Sequence, residues 1–448
     1  MRPGTYVFTY NPLAVPTVEW HPIREIIETN SFTLTALDIL GIDGFRFRGN
    51  NINQQSVGTT LDTAIANGAF NQRFYDIAAL SSAGIANALT QLSGEHAASA
   101  ARASFQSLNS FMALTLDPWQ AVRCGGNEAN GDFGPALGYN ARQAAPRLRS
   151  LAPPDPKREK DRPCSEREWS IWTAGYGAQN TTRGEFTVAG THNTRILTGG
   201  AAAGADYRVW PGTVAGFAVA GSGSNWSLSD GLGGGTSDIM QTAIYGSTRF
   251  GAAYLSAVLA YGFQRTQLNR TVTIFTSDQF RANFPGHTFG NRVETGYRFG
   301  MDGYSVTPYA AMQVQHFRSP SFSETTVYGL PDFALDYSSR KATSGRFEFG
   351  TWIDQHFPVE TAGTLALRGR VGWIYDWQSQ TSIGASFPNL PGASFYVLGA
   401  NPATNIALAS GAAELKLKSG MSFSAKLDTE FGYRSFTLSG TGTIKYEW

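Results

Sequence analysis

The chain has 448 residues, which is long enough for two or more modules, and its formal net charge of +1 points neither to nucleic acid nor to an acidic substrate. Glycine is abundant at 50 residues and charged residues make up only 15%, which is typical of many strands and turns rather than of a helical bundle. No apolar run of about 18 residues occurs, which excludes a transmembrane helix. The negative mean hydropathy leaves a membrane barrel open, because barrel strands are apolar only at every second residue.

The first 50 residues contain short extended pieces at residues 5–9, 31–36 and 45–48. Three or four short strands cannot bury a core of their own, so we interpret residues 1–52 as the end of a larger β-structured region. The opening Met1–Val7 has no apolar segment of the kind that a secretory signal carries. We therefore expect the chain to be the C-terminal portion of a longer product, or its start to be misassigned.

Residues 53–117 are rich in Ala, Leu, Gln, Ser and Asn and poor in β-branched residues, which predicts helix. Asn71 and Ser81 are candidate N-caps. The last predicted helix, Gly94–Thr115, carries many small residues and would be about 30 Å long at ~1.5 Å per residue. Its polar residues exclude contact with lipid: Glu95, His96, Arg102, Gln106 and Asn109. Such a slim, polar helix suits the inside of a water-filled barrel better than a lipid phase.

Residues 118–168 are rich in Gly, Pro and charge, and we interpret them as a linker. The charge run Lys157–Arg162 mixes both signs and has no interleaved aromatic residues, so it indicates a solvated loop rather than a nucleic-acid patch. Cys124 and Cys164, the two cysteines of the sequence, both lie here. They form either a disulfide that closes this loop or two free thiols.

Alternating segments recur from residue 169 to the end and predict about twelve antiparallel strands. We expect them to begin near Trp169, Ile196, Thr213, Asp238, Ala253, Arg281, Tyr304, Arg340, Thr364, Asn405, Met421 and Ser435. An even number of strands near twelve closes without edges. A barrel of this size should leave room for one helix of about 10–12 Å diameter.

The clearest alternation lies at residues 365–378 and 421–433, where one face is aromatic or aliphatic and the other polar. Charges are costly in lipid and tolerated in a wet lumen. We therefore predict that five charged residues line the interior: Arg368, Arg370, Lys426, Asp428 and Glu430. The two acidic residues 428 and 430 are expected to pair with Arg368 or Arg370. The strand from Phe436 also alternates, and it places Phe436, Ile444, Tyr446 and Trp448 on its apolar face.

Two stretches resemble the autotransporters of type V secretion. One is Asn53–Asp62 leading to Leu89–Ser99, with its Gln-Leu-Ser-Gly-Glu core, and the other is the barrel with its final Ile444–Trp448. The resemblance implies an all-β outer-membrane barrel at residues 169–448 that brings an N-terminal passenger to the surface of a Gram-negative bacterium. It also implies that Phe436, Ile444, Tyr446 and Trp448 form the signal read by the barrel assembly machinery.

The same resemblance implies periplasmic chaperones, outer-membrane lipids and the chain's own passenger segment as partners. Residues 1–52 would be the remnant of that passenger. The long, charged linker leaves two positions for the helix at residues 94–115, inside the lumen or outside it.

Residue patterns of common catalytic and metal sites are missing. The six histidines are scattered, and no His-Glu-x-x-His, Gly-x-Ser-x-Gly or P-loop motif occurs. We therefore assign no catalytic, cofactor-binding or metal-binding residue and expect no enzyme and no nucleic-acid partner. Asn50 and Asn51 could suggest cleavage by attack of an asparagine on its own backbone, but after Gly49 they are better interpreted as a turn. A porin-like diffusion channel and a barrel-embedded lipid hydrolase are the alternative functions.

Overall fold

A computed structural model describes residues 47–116, 168–301, 303–359, 363–378 and 382–448, together with the backbone of two short strands before them. Those two strands are β1 (Thr5–Phe8) and β2 (Phe32–Thr35), which pair antiparallel. They coincide with two of the extended pieces predicted from the sequence. Residues 117–167, which contain Cys124, Cys164 and all of the predicted linker except Glu168, lie outside the described residues.

Four α-helices and one short 3-10 helix precede the barrel. They are α1 (Ile52–Ala66), α2 (Gln72–Ala78), α3 (Ser82–Leu92), the 3-10 helix Glu95–Ser99 and α4 (Ala100–Thr115). The N-caps predicted at Asn71 and Ser81 are confirmed, since their side chains accept from the backbone N–H groups of Arg73 and Gly84. Within the described part of the chain, every helix is too short or too polar to cross a bilayer.

The predicted helix at 94–115 is not continuous. Gly94 has a φ of 67°, a left-handed conformation that ends the preceding helix, and the 3-10 turn Glu95–Ser99 redirects the chain before α4 begins. The regular α-helical part therefore has 16 residues and a length of about 24 Å, less than the sequence led us to expect.

Eighteen further strands follow from Trp169 onward in the described residues. In chain order they are β3 (Trp169–Thr182), β4 (Thr194–Trp210), β5 (Thr213–Leu228), β6 (Gly234–Phe250), β7 (Ala253–Val272), β8 (Asp278–Tyr297), β9 (Phe299–Met301), β10 (Tyr304–Ser319), β11 (Phe322–Ser323), β12 (Thr325–Tyr328), β13 (Asp336–Tyr337), β14 (Arg340–Val359), β15 (Gly363–Gln378), β16 (Ser382–Ser386), β17 (Ser394–Leu398), β18 (Asn405–Leu417), β19 (Met421–Gly432) and β20 (Ser435–Glu447).

Twelve of these strands form a closed antiparallel barrel: β3 to β8, β10, β14, β15 and β18 to β20. Each pairs with the next, and β20 pairs with β3 over the register Ser435↔Thr182 to Glu447↔Ser170, which closes the ring. Backbone hydrogen bonds between Trp169 and Trp448, at 3.1 and 3.3 Å, extend this seam. The predicted barrel of about twelve strands is confirmed.

The barrel wall alternates between an exposed apolar face and a buried face. Leu259, Phe289, Met312, Val371 and Trp373 are among the large apolar side chains exposed on the outside. A wall of this kind is stable only in an apolar surrounding, because so many exposed apolar side chains would be unfavourable in water.

The two rims of the barrel differ. Short turns close one rim, at residues 211–212, 251–252 and 418–420. Longer connections at 183–193, 320–339 and 382–404 lie at the opposite rim. Strands β11, β13, β16 and β17 belong to the long connections and form a second sheet in the order β11-β13-β16-β17.

The long-loop rim carries a compact structure that we call the outer cap, made of residues 47–99, 320–339 and 382–404. Its core joins buried apolar residues of α1 to α3 with those of the second sheet and its connecting loops, including Leu61, Phe74, Leu89, Phe333 and Phe387. Phe74 packs edge-on against Phe333 and Phe387, with ring centroids 5.1 and 5.0 Å apart. The helices therefore fold against the barrel's loops rather than as a separate bundle.

Candidate functional site: the barrel lumen and its outer mouth

Helix α4 lies in the barrel lumen and contacts strands β3 to β8 and β10. Its apolar residues pack on the inner faces of these strands: Leu108, Phe111, Met112, Leu114 and Leu116 against Trp172, Tyr176, Ala202, Ala218, Ala220, Ala243, Tyr245, Val258 and Ala260. The wall is lined largely by alanine here, so the helix can approach closely. A Cβ added at Gly290 would lie 2.8 Å from Leu108 and 3.1 Å from Met112, which shows how tight this contact is.

Hydrogen bonds tie the polar residues of α4 to the same wall. Ser104 bonds Thr288, Ser107 bonds Ser222 at 2.9 Å and accepts from Gln241 at 3.1 Å, and Asn109 accepts from Gln313 at 3.0 Å. Near the outer mouth, Arg102 donates to Asn180 at 3.0 Å and to the backbone oxygen of Ala400 at 3.2 Å. Two of the residues that excluded lipid contact for this helix, Arg102 and Asn109, thus have hydrogen-bond partners inside the barrel. Of the two positions that the sequence left open, the helix takes the lumen.

The direction of α4 is fixed by its contacts. Ala100 and Ala103, at its start, belong to the apolar core of the outer cap. Leu114 and Leu116, at its end, pack with Trp172 and Tyr245, which lie near the short-turn rim. The helix therefore runs from the long-loop rim towards the short-turn rim.

The opposite wall, made of β14, β15, β18, β19 and β20, faces a cleft beside α4 that is lined by charged side chains. Arg370 links Glu348 at 3.1 Å and Asp428 at 2.6 Å, and Arg292 links Glu348 at 3.0 Å and Glu294 at 2.8 Å. The register explains part of this ladder, since Arg370, Ser410 and Asp428 lie opposite one another on β15, β18 and β19. Each charge is balanced by a neighbour, which offsets its loss of hydration.

The five predicted lumen charges all take part in ion pairs on this inner face. Arg368 contacts Glu414 at 2.5 Å and Asp354 at 3.7 Å, and Lys426 contacts Asp428 at 3.1 Å. Asp428 pairs with Arg370, as expected. Glu430 pairs instead with Arg346 at 2.7 Å, because Arg346 reaches across from β14, where it also binds Asp376. All of these ion pairs join one wall residue to another, and none of them includes a residue of α4.

Several charged residues of the lumen were missed from the sequence: Arg292, Glu294, Arg346, Glu348, Asp354, Asp376 and Glu414. Asp376 stood on the polar face already assigned to residues 365–378. The alternation of β8 and β14 would have placed Arg292, Glu294, Arg346 and Glu348 on one side as well, since they occupy every second position.

Phe436, Ile444, Tyr446 and Trp448 lie on the outer face of the barrel and are between 39% and 49% exposed. Tyr446 and Trp448 stack with ring centroids 5.7 Å apart at the short-turn rim. These four residues form an apolar row on β20 and just beyond it. Their role as an assembly signal stays a prediction.

The outer mouth contains buried ionisable groups that connect the cap to the barrel. Arg270 of β7 donates to Glu324 at 3.0 Å and to the backbone oxygens of Gln91 and Phe333 at 2.9 and 2.8 Å. This one side chain holds α3 and the loop at 320–339 against the barrel strand. Removing either charge of such a buried pair is strongly destabilising.

Glu95 and His96 begin the 3-10 turn above α4 and are both buried. The Glu95 carboxylate makes two hydrogen bonds with His192. It accepts from the backbone N–H at 2.8 Å and bonds the ring Nδ1 at 2.7 Å. Burial raises the pKa of the Glu95 carboxyl, while its bonds to His192 act in the opposite direction. Burial, together with the positive charge of Arg270, lowers the pKa of His96 to about 3, so this imidazole is neutral at physiological pH.

Asn51 caps α1 by accepting from the backbone N–H of Gln54, and it lies in the outer cap rather than in the lumen. Its backbone is extended, with φ −144° and ψ 170°, so Asn51 is a helix N-cap rather than the turn residue that the sequence predicted. In the part of the chain that the structure describes, no three His, Cys, Asp or Glu side chains are arranged to hold a metal ion.

The sequence profile of the family described as "Autotransporter beta-domain" matches residues 171–428. An extracellular serine protease of Serratia marcescens is 28% identical over 142 residues, which are 32% of this chain and 13% of that protein. A second extracellular serine protease of the same organism is 27% identical over 142 residues, again 13% of its length. The matched region is thus a small part of these relatives.

The translocator domain of the autotransporter NalP from Neisseria meningitidis has a similar structure, with a TM-score of 0.51 and 12% sequence identity over 63% of this chain and 89% of that domain. The β domain of the Bordetella autotransporter BrkA gives a TM-score of 0.48 and 16% identity, over 63% of this chain and 100% of that domain. The family profile covers more than half of the sequence, and the chain therefore belongs to the autotransporter β-domain family.

Proposed function

We propose that this chain is the translocator of an autotransporter: an outer-membrane β-barrel that brings an N-terminal passenger segment to the cell surface. The observation that carries the proposal is the direction of α4. In outer-membrane barrels short turns face the periplasm and longer loops face outwards. Helix α4 then runs from the outside to the periplasm, which supports a position on the cell-surface side for the chain that precedes it.

Residues 1–52 are, in this proposal, the end of the passenger, residues 53–117 the helical approach, residues 118–168 a periplasmic connection and residues 169–448 the barrel. The apolar row of Phe436, Ile444, Tyr446 and Trp448 is the recognition signal for the barrel assembly machinery. Periplasmic chaperones keep the unfolded strands apart before insertion, and outer-membrane lipids surround the finished wall.

The barrel's work is mechanical and needs no catalytic group. The Serratia relatives are named extracellular serine proteases, but the 142 matched residues are too small a part of them to assign an activity to this chain. A diffusion channel is disfavoured by the helix in the lumen and by the cap over its mouth. Charges of both signs balance one another on the free wall, so the lumen has no strong preference for one sign of ion.

The orientation is tested by labelling single cysteines on intact cells. Cys124 and Cys164 are first changed to serine, a signal peptide and an epitope tag are added before Met1, and one cysteine is placed at Phe70 in the cap or at Lys418 in a short turn. Phe70 is 69% exposed, so its cysteine should react with a membrane-impermeant maleimide on intact cells. The Lys418→Cys variant should react only after the outer membrane is opened.

We also expect an antibody to reach the N-terminal tag on intact cells, because the tag should lie at the cell surface with the passenger segment. Labelling of the Lys418→Cys variant on intact cells, with the Phe70→Cys variant protected, would reverse the orientation and overturn the proposal. A tag reached only after the membrane is opened, while the Phe70→Cys variant is labelled, would separate barrel orientation from passenger delivery and contradict the latter.

A further inference from the structure

A group of basic side chains interrupts the apolar outer wall near the long-loop rim. It consists of His287 on β8, His316 and Arg318 on β10, and Lys341 on β14, and we call it the outer basic patch. Arg318 lies directly opposite His287 on one neighbouring strand and opposite Lys341 on the other. The strands' alternation points all four side chains outwards, because their neighbours Thr288, Phe317 and Ala342 are buried on the lumen side.

The position of the patch across the membrane follows from its distance along β8 from the short-turn rim. On β8 the outward positions run from Tyr297 at the short-turn rim through Val293 and Phe289 to His287. Ten residues separate Tyr297 from His287, and a tilted barrel strand crosses the hydrocarbon core in about 9–11 residues. His287 therefore lies where the outer leaflet's hydrocarbon ends and its headgroups begin.

Aromatic rings mark the same boundary. Tyr261 stacks on His287 with centroids 6.1 Å apart and bonds its Nδ1 through the hydroxyl at 2.8 Å, and Phe263 lies 5.4 Å from the same ring. Aromatic side chains of this kind are enriched at membrane interfaces. The patch therefore faces headgroups rather than hydrocarbon or bulk water.

The patch is pre-organised. The His316 ring bonds Thr343 through Nδ1 at 3.0 Å, and its Nε2 accepts from the Nε of Arg318 at 3.0 Å. This leaves the two terminal nitrogens of the Arg318 guanidinium directed away from the ring. Both Arg318 and Lys341 are exposed, and among the described residues neither forms an ion pair.

Acidic residues on the outer wall are separated from the patch. Asp238 faces outwards on β6, but it lies opposite Arg265 on β7, two strands away from the β8 member of the patch. Two permanent positive charges and two imidazoles thus stand at headgroup height, and in the described strands no carboxylate lies opposite them. Arginine and lysine at such a position attract anionic headgroups, and arginine binds phosphate through paired hydrogen bonds.

We propose that the outer basic patch binds a phosphate group of an outer-leaflet glycolipid, the phosphorylated glucosamine headgroup of lipid A. The acyl chains of this lipid lie along the apolar wall of β8, β10 and β14, and its phosphate is held between Arg318 and Lys341. The inference rests on the proposed outer-membrane orientation, since only then does the long-loop rim face the glycolipid leaflet.

The test uses the full chain, purified and folded, in nanodiscs of phosphatidylcholine, with lipid A added and binding measured by native mass spectrometry. The variant is Arg318→Ala with Lys341→Ala. The matched control is Arg195→Ala with Lys418→Ala, which also removes one arginine and one lysine, from the outer rim of β4 and from a short turn. Heat-modifiable migration on a gel verifies that each barrel is folded.

We expect the patch variant to bind lipid A on the order of tenfold more weakly, and the control to bind like the wild type. Enzymatically dephosphorylated lipid A should bind to the wild type on the order of tenfold more weakly than intact lipid A does. With the patch variant, the two lipids should bind equally. Inorganic phosphate at millimolar concentration should leave lipid A bound, because it lacks the acyl chains that lie against the wall.

Equal binding by the patch variant and the control would overturn the proposal, and so would equal binding of dephosphorylated lipid A. Displacement of lipid A by inorganic phosphate would show a simple anion site and would also overturn it. The readout needs no passenger, so loss of lipid binding with normal surface labelling refutes the lipid site alone, while reversed labelling refutes the proposed function.

Discussion

Residues 47–116 are held in two different ways along their length. The outer cap, residues 47–99 with the loops, is held by a continuous apolar core. Helix α4 contacts one half of the lumen through a row of apolar side chains packed on an alanine-rich wall and through hydrogen bonds, and on its other side it faces charged groups that pair with one another. The first arrangement holds the cap through one shared apolar core, whereas in the second the charges on the free wall are neutralised by one another.

The difference indicates a division of work. A cap with a large buried core closes the mouth once it has formed, because opening it would expose many apolar side chains. The charged side chains of the lumen are already paired with one another. They would therefore neither bind nor repel a passenger segment strongly. Three substitutions or conditions would break or sharpen this comparison.

The largest effect is expected from Phe74→Ala in the cap. Phe74 is fully buried between Phe333 and Phe387, and its removal leaves a cavity in the core. We expect the free energy of local opening of the cap to fall by about 3–5 kcal/mol. Hydrogen exchange of residues 82–92 would measure it. Phe70→Ala is the control, since Phe70 is 69% exposed, and equal exchange in both variants would contradict a core-held cap.

Acidification should loosen the cap through His96. Its pKa is held at about 3 in the folded cap against an ordinary 6.5, so the unfolded state binds more protons between these values. Its contribution to stability is complete above pH 6.5 and is lost as the pH falls towards 3. Between pH 6.5 and 4.5 we expect a loss of about 2–3 kcal/mol from this residue.

Glu95 acts in the opposite sense, because its pKa is raised by burial and its contribution is lost as the pH rises. The effect of His96 is therefore measured in a Glu95→Gln background, by hydrogen exchange of residues 82–99 corrected for intrinsic rates. The additional change His96→Phe should make the cap's opening independent of pH in this range. A pH dependence that persists in the double variant would assign it to another group.

The smallest effect is expected in the lumen, from Gly290→Val. The new side chain would collide with Leu108 and Met112 and should weaken the seat of α4 by about 1–3 kcal/mol. In planar bilayers this should raise the frequency of conducting openings, while the cap stays protected. The control is Gly221→Val, where an added Cβ meets no atom within 4 Å. Unchanged openings in the Gly290→Val variant would show that α4 does not control the lumen.

The barrel could be predicted closely because its signal is local. Eight of the twelve expected strand starts, among them Trp169, Thr213 and Ser435, agree with the observed ones. The starts expected at Ile196, Asp238, Arg281 and Thr364 lie one to four residues inside the observed strands. The strand residues that the sequence did not predict lie mostly at the long-loop rim. There, polar residues such as Gln279 occupy the outward positions that are apolar elsewhere in the strand.

The cap and the pairing partners could not be predicted from the sequence in the same way. The union of α1 to α3 with β16 and β17 joins segments more than 300 residues apart, for example through Asn53 and Leu398. The choice of Arg346 by Glu430 depends on barrel curvature and on side-chain reach, which alternation does not encode. Periodicity identifies the face of a strand, but the partner across the lumen follows from the closed structure.

The seam between β3 and β20 also bears on the order of assembly. Helix α4 precedes β3 in the chain, and the hydrogen bonds of Trp169 and Trp448 are the place where the ring is completed. While the sheet is still open between β3 and β20, its lumen is accessible from the side. The helix can then enter through this gap and is enclosed when the two edge strands pair. In that order of events, no free end of the chain has to be threaded through a finished pore.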